Sequence, residues 1–171
     1  MIIYKTIDDI AKVSNNDLTG EEVLVVGLNE VIDKSTDSSF PKFREYGVYI
    51  HSFKKQKYIR EISTIIRKND EDISVFFIDE SYISKSLLDL SGSNKNIYIN
   101  LSSKTDPREY ELLFNLYRSK NISGINFDIE KITKGHIALC DKFQLNVCVE
   151  GVNFERQLEK AKDLNVDAVL I

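Results

Sequence analysis

A series of polar side chains stands directly after short apolar runs, and their types could do chemistry. His51 follows Val48-Tyr49-Ile50, Asp79 and Glu80 follow Phe76-Phe77-Ile78, and Asn100 follows Ile97-Tyr98-Ile99. Asp128 and Glu130 lie at the end of Ile125-Asn126-Phe127, and Glu150 closes Val147-Cys148-Val149. Carboxylates, an amide and an imidazole gathered on one rim suit a hard divalent cation, Mg²⁺ or Mn²⁺. A cation held there could activate a water for phosphodiester hydrolysis. The same residue types also cap the helices that follow strands, so type and position alone leave both readings open.

The elements that would have to position these groups are legible from residue 47 onward. The apolar runs Val48 to Ile50, Ile73 to Ile78, Ile97 to Ile99, Ile122 to Ile129, Leu145 to Val149 and Ala168 to Ile171 are short and mostly β-branched or aromatic, as buried strands are. Between them, Tyr58, Ile62, Ile65 and Ile66 share one helical face, as do Tyr110, Leu113, Phe114 and Tyr117. Asp106-Pro107 is expected to open the latter helix, with Asp106 as its cap. Asn153 is expected to cap a last helix that turns Leu158, Ala161 and Leu164 inward. Strand-helix-strand alternation means βαβ units and a parallel sheet, whose strand ends converge on one ligand-binding rim.

Residues 1–46 break the rhythm and read as an irregular N-terminal extension of a single 1–171 domain. Thr6 to Val13 reads as a short helix, Val23 to Val26 as a strand ended by Gly27, and Leu28 to Tyr46 as a long polar connection. About seven strands result, where a closed (β/α)₈ barrel needs eight and typically about 250 residues. The expectation is therefore a parallel-stranded α/β domain of incomplete or shortened TIM-barrel-like form, with an open doubly wound sheet as the alternative.

Composition narrows the function classes. The chain has 171 residues, 42% hydrophobic and 29% charged, which suffices for one packed core. A net charge of -4 and a pI near 5.3 argue against a general nucleic-acid binder. The basic run Lys54, Lys55, Lys57 and Arg60 reads as a solvated helix face. No segment is apolar enough to span a bilayer, and the acidic start MIIYKTIDDI does not read as a signal peptide. Cys140 and Cys148 lack metal spacing and read as buried, inert thiols in a reducing, cytoplasmic setting. His136, beside Gly135, reads as a surface or half-buried helix residue. Phosphate-loop, dinucleotide, nucleophile-elbow and zinc-protease signatures are all missing. Richness in Ile, Lys and Asn points to an AT-rich genome, such as that of a low-GC bacterium or a phage.

Two families share features with the tail. Glu150-Gly151-Val152-Asn153-Phe154-Glu155-Arg156-Gln157-Leu158-Glu159 resembles the late motif of EAL-type cyclic-di-GMP phosphodiesterase domains. Ile99-Asn100-Leu101-Ser102 and Phe127-Asp128-Ile129-Glu130 are similar to that family's earlier strands, in the right order. The resemblance implies Asn100, Glu130 and Glu150 as ligands of Mg²⁺ or Mn²⁺, with Asp79 or Asp128 as base. The opening motif and the D-D-F-G segment of the family are missing, which implies a shortened and degenerate member. Leu145 to Val149, Val152-Asn153 and Asn165-Val166-Asp167-Ala168-Val169 also resemble the end of glycerophosphodiester phosphodiesterases, although that family's histidine motifs are missing. The reading is a catalytically degenerate barrel-like domain that binds a protein or nucleotide in a regulatory or assembly role, for instance in a phage. The alternative is an active metal-dependent phosphodiesterase. A protein partner or self-association is expected, and nucleic acid and membrane are not.

Overall fold

The computed structural model describes residues 1–7, 22–27, 46–50, 73–80, 96–101 and 105–171. Within them, strand residues alternate between two apolar environments instead of between core and water. Tyr4, Val25, Val75, Phe77, Tyr98, Cys148, Ala168 and Leu170 form one buried cluster. Phe76, Ile78, Ile97, Ile99, Ile125, Phe127, Val147, Val149 and Val169 belong to a second, shared with helix residues. A sheet buried on both faces is what an all-parallel arrangement requires.

The strands are β1 (Ile2–Ile7), β2 (Glu22–Gly27), β3 (Tyr46–Ile50), β4 (Ile73–Asp79), β5 (Asn96–Asn100), β6 (Gly124–Asp128), β7 (Asn146–Glu150) and β8 (Ala168–Leu170). Each pairs in parallel with the next, and β8 returns to β1 with Tyr4 opposite Leu170, closing the barrel. Closure leaves no exposed edge among the described strands.

The lumen is solid. Phe77 stacks on Tyr98 at 5.3 Å between ring centroids and meets Tyr4 edge-on at 5.2 Å. Glycines make room for the larger lumen side chains, Gly124 for the Tyr98 ring and Gly47 for Val75 and Val25. A Cβ at Gly124 would stand 2.6 Å from the Tyr98 ring and 2.5 Å from the Asn146 carbonyl oxygen, and one at Gly47 would stand 2.6 Å from Val75. Alternating large and small side chains is how a small barrel fills its interior.

Three described helices cover the outside. A 3₁₀ turn, Pro107–Glu109, runs into α1 (Tyr110–Ser119), with the Asp106 carboxylate accepting from the Arg108 amide as the sequence leads one to expect. Phe114 and Tyr117 are the buried residues of α1. Helix α2 spans Lys134–Phe143 and α3 spans Glu155–Asp163. Ala161 is buried, with Leu158 and Leu164 packed against the core.

Asn153 does not cap α3. The Gln157 side chain, reaching back from the first turn, accepts from the amides of Asn153 and Phe154 at 2.8 and 3.1 Å. The Asn153 side-chain amide instead donates to the Gly151 carbonyl. The cap position falls on Phe154, one residue later than expected, and Gln157, three residues on, holds that residue's amide.

Of the two forms expected, incomplete or shortened, the described strands make the shortened and closed one. The strand missed in the sequence is β1. Lys5 and Thr6 interrupt its apolar pattern, and the stretch from Thr6 was read as helix, yet Ile2–Ile7 pairs along its length with β2. Residues 1–46 thus contribute two barrel strands and are not merely an irregular extension. Residues 8–21, the polar connection 28–45, the helical face from Tyr58 to Ile66 and the basic run 54–60 lie outside the described residues.

Candidate functional site

The apolar filling of the lumen stops at the carboxyl ends of the strands. There, Tyr49, Asp79, Asn100, Asn126 and Glu150, from β3, β4, β5, β6 and β7, are joined in one hydrogen-bonded chain. The Asn100 amide donates to Asp79 Oδ1 at 3.0 Å. The Asn126 amide donates at 2.8 Å both to Asn100 Oδ1 and to Glu150 Oε2. Tyr49 donates its hydroxyl to the same Glu150 oxygen at 3.2 Å.

Register explains the convergence. Asp79 lies opposite Asn100, Asn100 opposite Asn126, and Asp128 opposite Glu150. Residues two apart on a strand point to one side, so Gly124, Asn126 and Asp128 follow one lumen-facing line up β6.

Electrostatics at the mouth are one-sided. Burial raises the Glu150 carboxyl above its ordinary value, and the charges of Asp79 and Asp128 push the same way, against the hydrogen bonds from Tyr49 and Asn126. Tyr49 is driven up by burial and then by the Glu150 and Asp79 charges. Asn126 is only 2% exposed, and its carbonyl oxygen has no hydrogen-bond partner. An orphaned buried acceptor costs about 1–3 kcal/mol and calls for explanation.

The structure thus gathers Asp79, Asn100 and Glu150 into one site. Asp128 stands at its edge, bonded to Lys131 Nζ at 2.8 Å and accepting from the Glu130 amide. The Lys131 bond chiefly holds its carboxyl below the ordinary value. Glu130 is not part of the network. It is exposed, and its carboxylate accepts from Gln157 of α3 at 2.7 Å. Glu80 turns to the outer layer, accepting from Thr105 and from the Tyr117 hydroxyl, which fastens α1 to β4.

His51 lies outside the described residues. His136 is half-buried in α2, its ring stacked on Phe127 at 5.2 Å, as the sequence suggests. Both cysteines are buried, and burial pushes Cys140 up to about 12 and Cys148 well above its ordinary value. Both thiols are thereby held in the neutral form.

Asn126 and Tyr49 are the site residues that sequence reasoning missed. The signal for Asn126 was an amide in the middle of an apolar strand, where burial demands partners. Tyr49 carried none, since a strand tyrosine is ordinary filling.

A Mg²⁺ or Mn²⁺ held by Asn100, Glu130 and Glu150 needs all three to face one point. Among the described residues no three His, Cys, Asp or Glu side chains do so. Asn100 Oδ1 is taken by Asn126 and the Glu130 carboxylate by Gln157. The described set does not fit a divalent ion as it stands.

No family model and no curated protein matches this chain. Solved structures do. A protein of Agrobacterium tumefaciens assigned as a glycerophosphoryl diester phosphodiesterase aligns with a TM-score of 0.59 at 14% identity, over 84% of this chain and 58% of that one. One of Galdieria sulphuraria assigned as a glycerophosphodiester phosphodiesterase aligns with a TM-score of 0.56 at 13% identity, over the same shares. The likeness is one of fold. This chain spans under two thirds of the length of either structure.

Proposed function

We propose that the chain is a catalytically degenerate barrel domain that binds a small ligand or partner at the mouth formed by Asp79, Asn100, Asn126 and Glu150. The observation that carries this is the continuous chain of hydrogen bonds. Its members hold one another, and the carboxylate that a metal-dependent hydrolase of this reading would need, Glu130, is engaged elsewhere. In barrels of this kind ligands bind at the carboxyl ends of the strands. A regulatory or assembly role follows from binding without turnover, and the buried thiols fit a cytoplasmic protein.

The test is a thermal-shift titration with cyclic-di-GMP and with glycerophosphoglycerol, with and without Mn²⁺, alongside a hydrolysis assay. Binding without product supports the reading. Metal-dependent product that disappears in Glu150→Gln would replace it with the second reading, a metal-dependent phosphodiesterase using Asn100, Glu130 and Glu150 with Asp79 or Asp128 as base. That second reading draws on the fold of the structural neighbours and on three carboxylates near the mouth.

A protein partner or self-association belongs to the same proposal. Leu112, 73% exposed, and Leu116 stand one turn apart on α1 and suit such a contact. Light scattering across a concentration series tests it, and a strict monomer without a partner counts against it.

A further inference from the structure

We infer that the barrel mouth takes the head of an organic cation bearing N–H donors, an alkylammonium or guanidinium group. The inference rests on the reading of the mouth as a ligand site and names the chemistry of what enters it.

Among the described residues, the groups left over at the mouth are acceptors apart from the second N–H of the Asn100 amide. Asp79 uses Oδ1 for Asn100, and Glu150 uses Oε2 for Asn126 and Tyr49. The second oxygen of each carboxylate has no hydrogen bond among the described residues. Next to Asn100 in register, the carboxamide of Asn126 has both its contacts made through nitrogen, and its buried oxygen is unpartnered. That oxygen is independent of the carboxylates and asks for the same thing, a donor.

The charge is equally one-sided. Among the described residues no cation pairs with Asp79 or Glu150, and the nearby Lys131 is spent on Asp128. An anion such as phosphate would meet two carboxylates that no cation among the described residues pairs with. A polyol would supply donors but leave the charge standing. For a divalent ion, no three His, Cys, Asp or Glu side chains converge among the described residues. A cation with N–H donors offsets the charge and meets the carboxylate acceptors together.

The test uses the full chain and simple probes: methylguanidinium and ethylammonium chlorides, with tetramethylammonium chloride, glycerol, inorganic phosphate, MgCl₂ and MnCl₂ as comparisons. At about ten times its Kd, a donor-bearing cation should raise Tm by about 3–5 °C. Tetramethylammonium, equal in charge but without N–H groups, should not. The shift should weaken at least tenfold in apparent affinity in Glu150→Gln and in Asp79→Asn, each checked for native circular dichroism. Should one variant fail to fold, the other carries the comparison.

A shift with Mg²⁺, Mn²⁺, phosphate or glycerol and none with the ammonium probes overturns the inference. So does an ammonium shift that survives both substitutions. If cyclic-di-GMP or glycerophosphoglycerol shifts Tm while the cations do not, the mouth remains a ligand site and only the cation assignment falls. If nothing shifts, both fall.

Discussion

At the scale of the residue, Asn126 is the joint of the mouth. Its amide bridges Asn100 and Glu150, and the cost is a buried carbonyl without a partner. Asn126→Asp keeps the shape but replaces the donor with an acceptor facing Glu150 Oε2. The variant should lose about 3 kcal/mol at neutral pH, measured by urea unfolding, because a buried charge is left without a counter-charge. Stability should recover on acidification; a variant as stable as the parent would show that the amide is not the donor. Glu150 gives a second handle. Its folded pKa lies above the unfolded value, so the folded state holds the proton more tightly. Its contribution to stability is greatest below the ordinary carboxylate pKa and is lost as pH rises through the folded one. Glu150→Gln should therefore gain on the parent as pH rises through that window, and a constant difference between the two urea midpoints would refute the assignment.

At the scale of the element, the helix starts show what a sequence discloses and what it hides. Asp106-Pro107 announced the turn before α1 because both residues act locally. The start of α2 was not announced. Thr133 caps it, and the ring of His136 takes the place usual for glutamate or glutamine, with Nδ1 accepting from the Thr133 amide at 3.1 Å. That bond requires Nδ1 unprotonated, and burial against Phe127 and Tyr110 holds the His136 pKa below its ordinary value. The stabilisation is present above the unfolded pKa, near 6.5, and is lost as pH falls through the folded one. His136→Gln should keep the cap and remove this pH dependence, whereas His136→Ala should cost about 1 kcal/mol at neutral pH. Imidazole shifts read by NMR across pH 4–8 (roughly the histidine range) check the direction. The strand-end carboxylates were legible for the same local reason, since each closes an apolar run. Which of them meet was not legible, because β-sheet register is set between strands that lie far apart in the chain. Glu130 and Glu150 look equivalent in sequence, yet only Glu150 lies in the mouth network.

At the scale of the whole molecule, the barrel closes within 171 residues because its lumen is packed by stacked rings, with Gly124 against Tyr98 and Gly47 against Val75 and Val25. The sequence pattern concealed this. β1 carries Lys5 outward and has only Tyr4 among the buried lumen residues, so its period is that of a half-exposed segment, and the eighth strand went uncounted. Two glycines separate the global constraint from the local one. Gly124 faces the lumen, where a methyl group would strike the Asn146 carbonyl and the Tyr98 ring. The carbonyl is ladder backbone, and Tyr98 is itself pinned by Phe77 and Tyr4. Gly135 lies in the first turn of α2 and would meet only Thr133 Oγ1 at an ordinary 3.5 Å. Gly124→Ala should therefore lose about 1–3 kcal/mol through overpacking, while Gly135→Ala should gain about 0.5–1 kcal/mol through helix propensity. Urea midpoints of the two variants decide the matter. If Gly124→Ala is neutral, the lumen is looser than the stacked rings imply, and the barrel must owe its closure to the outer helix-covered layer alone.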